Sequence, residues 1–360
     1  MTELEQAIEL LKKLSVEEKN ELLERIVGVE KSTSQSKEEY LTEKRFADGV
    51  KCPYCNGKHI QRNGKARGYQ QYICVDCKKY FSATTNTIIS CTKLPLEKWN
   101  KYIECMMANL SIRKCAEICG INKNTAFLWR HKILDALQSM AESVVLNGIV
   151  EGDETFFPLS YKGSHALPEG RKARHHGQKN HKRGVSKEQV CVPCAVNRKG
   201  LSIAKVTNLG HVSTENLKTA FLGRIEEGST FCTDGAPQYV NFAISGKLDL
   251  LQFQQKEGRI GLYNIQHINS YHSVLKNFMR KFKGVSTKYL PNYLVWNNFE
   301  NYANETFVEK HRILLEFIVT TNKKVLRKSY HQRPSLPFFS CLVELSHNII
   351  ISWNKSEKES

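Results

Sequence analysis

Two pairs of cysteines constrain this chain more than any other feature. Cys52-Pro-Tyr-Cys55, eighteen residues, then Cys74-Val-Asp-Cys77 is the spacing at which two knuckles each give two thiolates to one tetrahedral zinc. A module this short cannot hold itself together by burial, so the metal would close it. Gly64, Gly68 and the run Tyr69–Cys74 predict a β-hairpin between the knuckles. Lys51, Lys58, Arg62, Lys65, Arg67, Lys78 and Lys79 surround it with positive charge, which favours DNA over a protein partner. The expectation is a zinc ribbon with structural Zn²⁺ on Cys52, Cys55, Cys74 and Cys77.

The whole chain shares that charge bias. Its 53 Lys and Arg against 36 Asp and Glu leave +17 over 360 residues, a balance that a phosphate backbone rewards through counterion release. With 41% hydrophobic residues the chain can bury a sizeable core. No apolar run approaches the roughly 20 residues that span a bilayer. The acidic start (Glu3, Glu5) lacks the regions of a signal peptide. A cytoplasmic, reducing location follows as an expectation. There the twelve cysteines serve as metal ligands or small core residues and not as disulfides. Cys191 and Cys194 lie in a strand-like run, where positions three apart face opposite sides, so they are expected in the core. Cys91, Cys105, Cys115, Cys119, Cys232 and Cys341 are expected there too.

Along the chain, Leu4, Ile8, Leu11 and Leu14, then Leu22, Leu23 and Ile26, predict amphipathic helix over residues 1–28, for packing or for dimerisation. A polar linker follows. The division expected is a helical segment and linker at 1–48, the zinc ribbon at 49–90, a helix-turn-helix at 91–143, a catalytic domain at 144–310 and an extension at 311–360. Within the fourth segment, β-branched runs at Gly148–Glu151, Val190–Val196, Ser202–Val206 and Thr230–Thr233 predict strands, and Thr214–Glu226 a helix. No internal repeat is visible.

The run from Leu110 to His131 reads as two helices and a turn. Ser111 caps the first, whose buried side carries Ile112, Cys115, Ala116 and Cys119. Gly120 turns the chain and Asn122 caps the second, with Ala126, Trp129 and Ile133 inward. Lys123, Asn124 and Thr125 then stand at the exposed start of a recognition helix, and Arg130 is counted with them as a DNA contact.

Asp153 and Asp234 each follow an apolar strand, a means of bringing divalent-metal ligands together from distant parts of a sequence. Glu151 and Glu154 flank Asp153 and could add a carboxylate or serve as surface or turn residues. Farther on, Ile268, Tyr271, Leu275, Phe278 and Phe282 form an apolar helical stripe, with His272, Lys276, Arg280 and Lys283 on the adjoining polar face. His267 and Asn269 compete with His272 as ligands, and Asn269 could instead cap the helix. Lys162–Lys187 holds eight Lys or Arg and four His against one Glu, and could clamp DNA through Arg171, Lys172, Lys182 and Arg183. Its histidines His165, His175, His176 and His181 are too irregularly spaced to favour a metal cluster.

Strand-Asp, two strands, a helix, strand-Asp and a later helix resembles the ribonuclease H-like core of DDE transposases. His267-Ile-Asn-Ser-Tyr-His-Ser-Val-Leu-Lys and Phe282-Lys-Gly-Val-Ser-Thr-Lys-Tyr-Leu-Pro-Asn-Tyr-Leu resemble bacterial insertion-sequence transposases with an N-terminal zinc ribbon. The resemblance spans roughly residues 50–300. In that group a pattern like His-x-Asn-[Ser/Thr]-x-Glu-Ser ends in the third catalytic acid, and that position here is His272. The resemblance implies a multidomain α/β protein with Asp153, Asp234 and His272 as catalytic residues and ligands of two Mg²⁺ or Mn²⁺ ions. It also implies cleavage and strand transfer on double-stranded DNA, at transposon ends and target. Lys276 and Arg280 would meet phosphate, in a dimer or larger assembly acting near the bacterial nucleoid. Imidazole in place of carboxylate removes a negative charge and should shift metal preference towards Mn²⁺. The alternative is a sequence-specific DNA-binding regulator with an inactive nuclease fold.

Overall fold

Strand β4 (Ile149–Pro158) organises the larger part of the molecule, because its two faces meet different layers. Val150 and Phe156 join one apolar cluster and Phe157 joins another on the opposite face, the alternation that a strand imposes. The computed structural model describes residues 37–66, 68–164, 184–253, 260–301 and 306–336, with Ser15 and Glu18 besides. The helix expected at 1–28, Arg67, Cys341 and the loop residues His165, Arg171, Lys172, His175, His176, His181, Lys182 and Arg183 lie outside the described residues.

Two units can be described separately. The first comprises residues up to Leu96 together with 311–322. It contains helix α1 (Lys37–Arg45) and the sheet β1 (Ile60–Ala66), β2 (Tyr69–Cys74), β3 (Tyr80–Phe81). β1 and β2 pair antiparallel, as the hairpin expectation required. Tyr72 stacks on Phe81 at 5.4 Å between ring centres, and both rings pack with Cys52, Cys74 and Phe46.

The second unit comprises residues 97–310 with 323 onwards. Its sheet runs β6 (Ser202–Ala204), β5 (Gln189–Asn197), β4, β8 (Thr230–Asp234), β9 (Asp249–Phe253), with β7 (Asn208–Leu209) against β5. β4, β5 and β6 are antiparallel, and β8 and β9 run parallel to β4. Cys191 and Cys194 of β5 are both buried and belong to opposite apolar layers. One layer carries α5 (Thr214–Phe221) and α6 (Gln238–Gly246); the other carries α7 (Gln266–Arg280) and α8 (Leu290–Glu300). The strand and helix order expected from the sequence is therefore present. The helix at 214 stops at Phe221, because Gly223 takes a positive φ of 74° and turns the chain into a bridge at Ile225.

Gly152 is required for packing. A Cβ there would lie 2.3 Å from the Phe231 ring, which is itself fixed among Phe221, Phe242 and Tyr239.

Helix α7 is tied to β4 at its first turn, and the segments that follow the helix and the strand are tied to each other. Its first N–H groups need partners that the helix cannot supply. The Glu151 carboxylate, 1% exposed, accepts from the N–H groups of His267 (2.8 Å) and Ile268 (3.0 Å) through Oε2. Its Oε1 meets Arg198 Nη1 at 2.8 Å and His267 Nδ1 at 2.9 Å. Neither a surface nor a turn role describes Glu151; it is a buried helix cap supplied from a distant strand. Asn269 is no cap, since it lies inside the helix. Past the other end, Ser160 and Thr287 exchange two bonds, at 2.9 and 2.8 Å, and Lys162 Nζ donates to the carbonyls of Lys283 and Gly284.

Ahead of the sheet stand α2 (Leu96–Met107), α3 (Ile112–Ile118) and α4 (Lys123–Glu142). Ser111 and Asn122 cap α3 and α4 through their side chains, and Gly120 between them has φ of 57°. Trp99 stacks on Trp129 with centroids 3.9 Å apart. Arg130 corrects the sequence reading. It is 0% exposed, donates to the Leu110 carbonyl at 2.7 Å and lies over the Trp296 ring, so it packs α4 on α8 and cannot meet DNA. Cys91 is a second correction: it is exposed, in a turn with φ of 61°. Arg333 and Lys323 bind Asp135 of α4: Arg333 with two bonds of 2.8 Å to the carboxylate, Lys323 through the backbone carbonyl.

Removing one partner from a buried ion pair strands the other. Glu151→Ala is therefore expected to cost ~3 kcal/mol or more in urea unfolding, where a surface glutamate would cost under ~1 kcal/mol. A change within the surface range would contradict the cap assignment.

Candidate active site

β4 leaves its neighbour β8 partway along its length, close to Asp153 and Glu154. β4 and β8 are paired as far as Glu151 opposite Cys232. Continuing that register by two residues brings Asp234, the last residue of β8, level with Asp153, past the end of the pairing. Asp153 shares its face with Glu151, two residues earlier, and so meets α7. His272 Nδ1 lies 3.6 Å from Asp153 Oδ2, one helical turn beyond the residues that Glu151 caps. Asp153, Glu154, Asn269, His272 and Lys276 line one cavity of about 600 Å³. Lys276 and Arg280 are exposed on α7, and Arg280 donates to Asn277.

The electrostatics separate acid from imidazole. Burial, then the charge of Glu154, push the Asp153 carboxyl from 3.8 up to about 7; the Glu154 N–H, donating to Oδ1 at 2.8 Å, opposes them, and Asp234 adds to the rise. Burial and then the Lys276 ammonium push His272 down to about 4, so its ring is neutral at pH 7. The Asp153–His272 contact is thus no ion pair, and it is too long for a good hydrogen bond. His272 Nε2 is buried with no partner.

His267 is drawn away from this cavity by Glu151 and Arg198, which removes it from the competition for a ligand role. The sequence reading missed Tyr239, whose hydroxyl donates to Glu154 Oε2 at 2.5 Å. The apolar periodicity of Tyr239, Phe242 and Ala243 directly after Asp234 is the signal that could have found α6. Among the described residues, Asp153, Asp234 and His272 do not form a group with all ligand atoms within 4.8 Å. Carboxylates held side by side repel unless a positive charge lies between them.

The cysteines do form such a group. The four Sγ atoms of Cys52, Cys55, Cys74 and Cys77 all lie within 4.8 Å of one another, with Cys52–Cys77 at 3.5 Å and Cys55–Cys74 at 3.6 Å. Tetrahedral zinc with bonds of about 2.3 Å places sulfurs about 3.8 Å apart, so the cluster fits that ion. The two knuckles are built alike. Asn56 N–H donates to the Cys52 carbonyl and Lys78 N–H to that of Cys74, both at 2.9 Å, with φ of 59° and 57°. Burial disfavours a Cys52 thiolate, but donation from the Tyr54 and Cys55 N–H groups outweighs it and brings the thiol to about 7.

Residues 145–300, the segment that holds Asp153, Asp234 and His272, match the ISXO2-like transposase domain. Over 257 residues the chain is 24% identical to an uncharacterized protein in transposable element ISH50 of Halobacterium salinarum, covering 71% of this chain and 86% of that protein. Two solved structures are also similar. The Mos1 Strand Transfer Complex is 12% identical, with 66% of this chain and 82% of that chain covered and a TM-score of 0.27. A pre-cleavage Mos1 transpososome is 10% identical over the same shares, with a TM-score of 0.18. No helix among the described residues is long and apolar enough to cross a membrane.

The raised Asp153 carboxyl makes a stability prediction. An acid whose folded pKa is above its unfolded value binds more protons when folded, so stability falls as pH rises from about 4 through about 7. In buffers free of divalent cations, Asp153→Asn should melt above wild type at pH 8, by up to ~4 kcal/mol of stability, and the gap should narrow towards pH 5. Thermal melts at the two pH values check this; a gap independent of pH would contradict it.

Proposed function

We propose that the chain is a DDE-type transposase of an Asp-Asp-His form, with a ribonuclease H-like catalytic core, that binds insertion-sequence ends and performs metal-dependent strand cleavage and strand transfer. The carrying observation is the approach of His272 to Asp153, with Asp234 level with Asp153 by strand register, inside the segment that matches a transposase domain. Asp153 Oδ2 and His272 Nδ1 at 3.6 Å suit donors to one cation better than partners in a hydrogen bond, since neighbouring ligands at 2.0–2.1 Å from Mg²⁺ stand about 3 Å apart. Asp153, Asp234 and His272 would hold two Mg²⁺ or Mn²⁺ ions, which supply charge stabilisation for in-line phosphoryl transfer. The protein's part is placement. Neutral His272 offers a lone pair and no competing charge, and the exposed Lys276 ammonium meets the phosphate backbone, with Arg280 one turn on.

DNA recognition falls to other elements. Zn²⁺ on Cys52, Cys55, Cys74 and Cys77 closes the ribbon and takes no part in the reaction. Helices α3 and α4 act as the helix-turn-helix, with exposed Lys123 and Asn124 and half-buried Thr125 at the start of α4. Arg171, Lys172, Lys182 and Arg183 are assigned to DNA contact on charge alone. The working division remains ribbon 49–90, helix-turn-helix 91–143 and catalytic domain 144–310, in an assembly of at least two chains, because the reaction joins two DNA ends.

Strand transfer by the purified protein on DNA bearing the element's ends tests the reading. Asp153→Ala and Asp234→Ala should each lower it more than about 100-fold while DNA binding persists. DNA binding without cleavage in either Mg²⁺ or Mn²⁺ would make the protein a regulator instead. His272→Glu should raise the rate in Mg²⁺ relative to Mn²⁺; identical metal profiles would count against the histidine as ligand. Zinc content should be one ion per chain and be lost in Cys52→Ser with Cys77→Ser; retention would contradict the ribbon assignment.

A further inference from the structure

We propose that a cavity at the β6 edge of the sheet binds a backbone phosphate of a DNA strand, apart from the cation site and from the start of α4. The inference rests on DNA being the partner of this chain. The cavity holds about 330 Å³ and lies between the last turns of α4, strand β6 and the start of α8. Its wall carries four cations, Lys205, Arg224, Lys288 and Arg333, against one acid, Glu142.

Only Arg333 is neutralised, by its two bonds to the Asp135 carboxylate. Lys205 donates to the Thr219 carbonyl at 2.9 Å, and Arg224 donates to the carbonyls of Ala141 and Val144. Those bonds hold the side chains in place and leave their charge uncancelled. Glu142 acts on Arg224 through its charge alone. Among the described residues no carboxylate forms an ion pair with Lys205, Arg224 or Lys288. Lys288 has the least to do in the fold: its ammonium lies 5.0 Å from the ring centre of its neighbour Tyr289. Half-buried cations that converge on one space repel one another, and an anion between them turns that cost into a gain. The Lys288 ammonium feels both effects, since burial and then the Arg333 charge lower it.

The place of the cavity favours a phosphate that belongs to DNA. Ala204 of the wall pairs with Cys194, and Cys194 pairs on its other side with Asp153. Two strand spacings, about 10 Å, therefore separate the wall from Asp153. A DNA strand carries one charge for about every 3.4 Å of helix axis, so a strand whose reacting bond lies at Asp153 reaches the cavity within a few nucleotides. Lys288 is held at a fixed distance from that point as well, because the N–H of Thr287 before it donates to the Ser160 carbonyl just past β4.

Anisotropy of fluorescein-labelled duplex DNA of arbitrary sequence, titrated with full-length zinc-loaded protein at several salt concentrations, is the test. Each phosphate neutralised contributes about 0.9 to the slope of log affinity against log salt. Lys288→Gln should lower the slope by about 0.9, and Lys288→Arg should keep it. Lys247→Gln removes an exposed charge paired with Glu227, away from the cavity, and should leave the slope unchanged. Equal slopes for Lys288→Gln and wild type overturn the pocket and leave the proposed function standing. A drop as large in Lys247→Gln overturns it as well. Thermal melts in inorganic phosphate against chloride at matched ionic strength separate the two sources of the anion. Phosphate that stabilises wild type over Lys288→Gln, with equal slopes on DNA, would make free phosphate the ligand and overturn the assignment to DNA. A wild type that binds no duplex at any salt overturns the proposed function itself.

Discussion

Helix α7 stands where it does because a buried carboxylate two residues before Asp153 holds its first turn. Both oxygens of Glu151 are engaged there, with two backbone N–H groups at one and Arg198 and His267 at the other. A carboxylate at a helix N-terminus is favoured by the helix dipole and by orphan donors together. Glu151 and Asp153 share one face of β4. The residue that anchors the helix and the residue that faces His272 are therefore set by a single strand geometry. Ser160, Thr287 and Lys162 fasten the segment that follows the helix, so His272 and Lys276 lie between two clamps.

The site inherits its electrostatics from this scaffold. Anything that presses α7 onto β4 also removes water from Asp153, which raises its carboxyl and lowers the His272 imidazole together. Both groups are thereby kept closer to neutral than they would be in water. A carboxyl poised near 7 is primed to lose its proton when positive charge arrives. The Tyr239–Glu154 bond adds a further acid at the rim, from the helix that follows Asp234. Three separate stretches of chain thus feed the region where β8 ends beside β4, and Gly152 is the place where β4 must lack a side chain so that Phe231 can fit against it.

Local patterns made much of this legible. Cysteine spacing named the four sulfurs that come together, and hydrophobic runs before Asp named both strands, although only Asp234 ends its strand and Asp153 lies midway along β4. Cap residues Ser111 and Asn122 marked the starts of α3 and α4. The misses have two causes. Arg130 was counted as a DNA contact because it is charged and near a helix start, yet it falls four residues after Ala126 and three before Ile133, on the buried stripe; the periodicity carried the answer and the charge obscured it. Glu151 is different. Its partners are 116 and 117 residues away, so no window of sequence could distinguish a buried cap from a flanking surface acid. Cys91 was misplaced for want of any pattern: a small apolar residue in a turn looks like one in a core until the backbone is known.

The central claim is that Asp153, Asp234 and His272 form a divalent-cation site where β8 ends beside the middle of β4. Anomalous diffraction from crystals grown with Mn²⁺ measures this directly. The expected result is anomalous density in contact with Asp153, Asp234 and His272, in the cavity that Lys276 borders. Density elsewhere, or none at an Mn²⁺ concentration that supports strand transfer, would contradict the account.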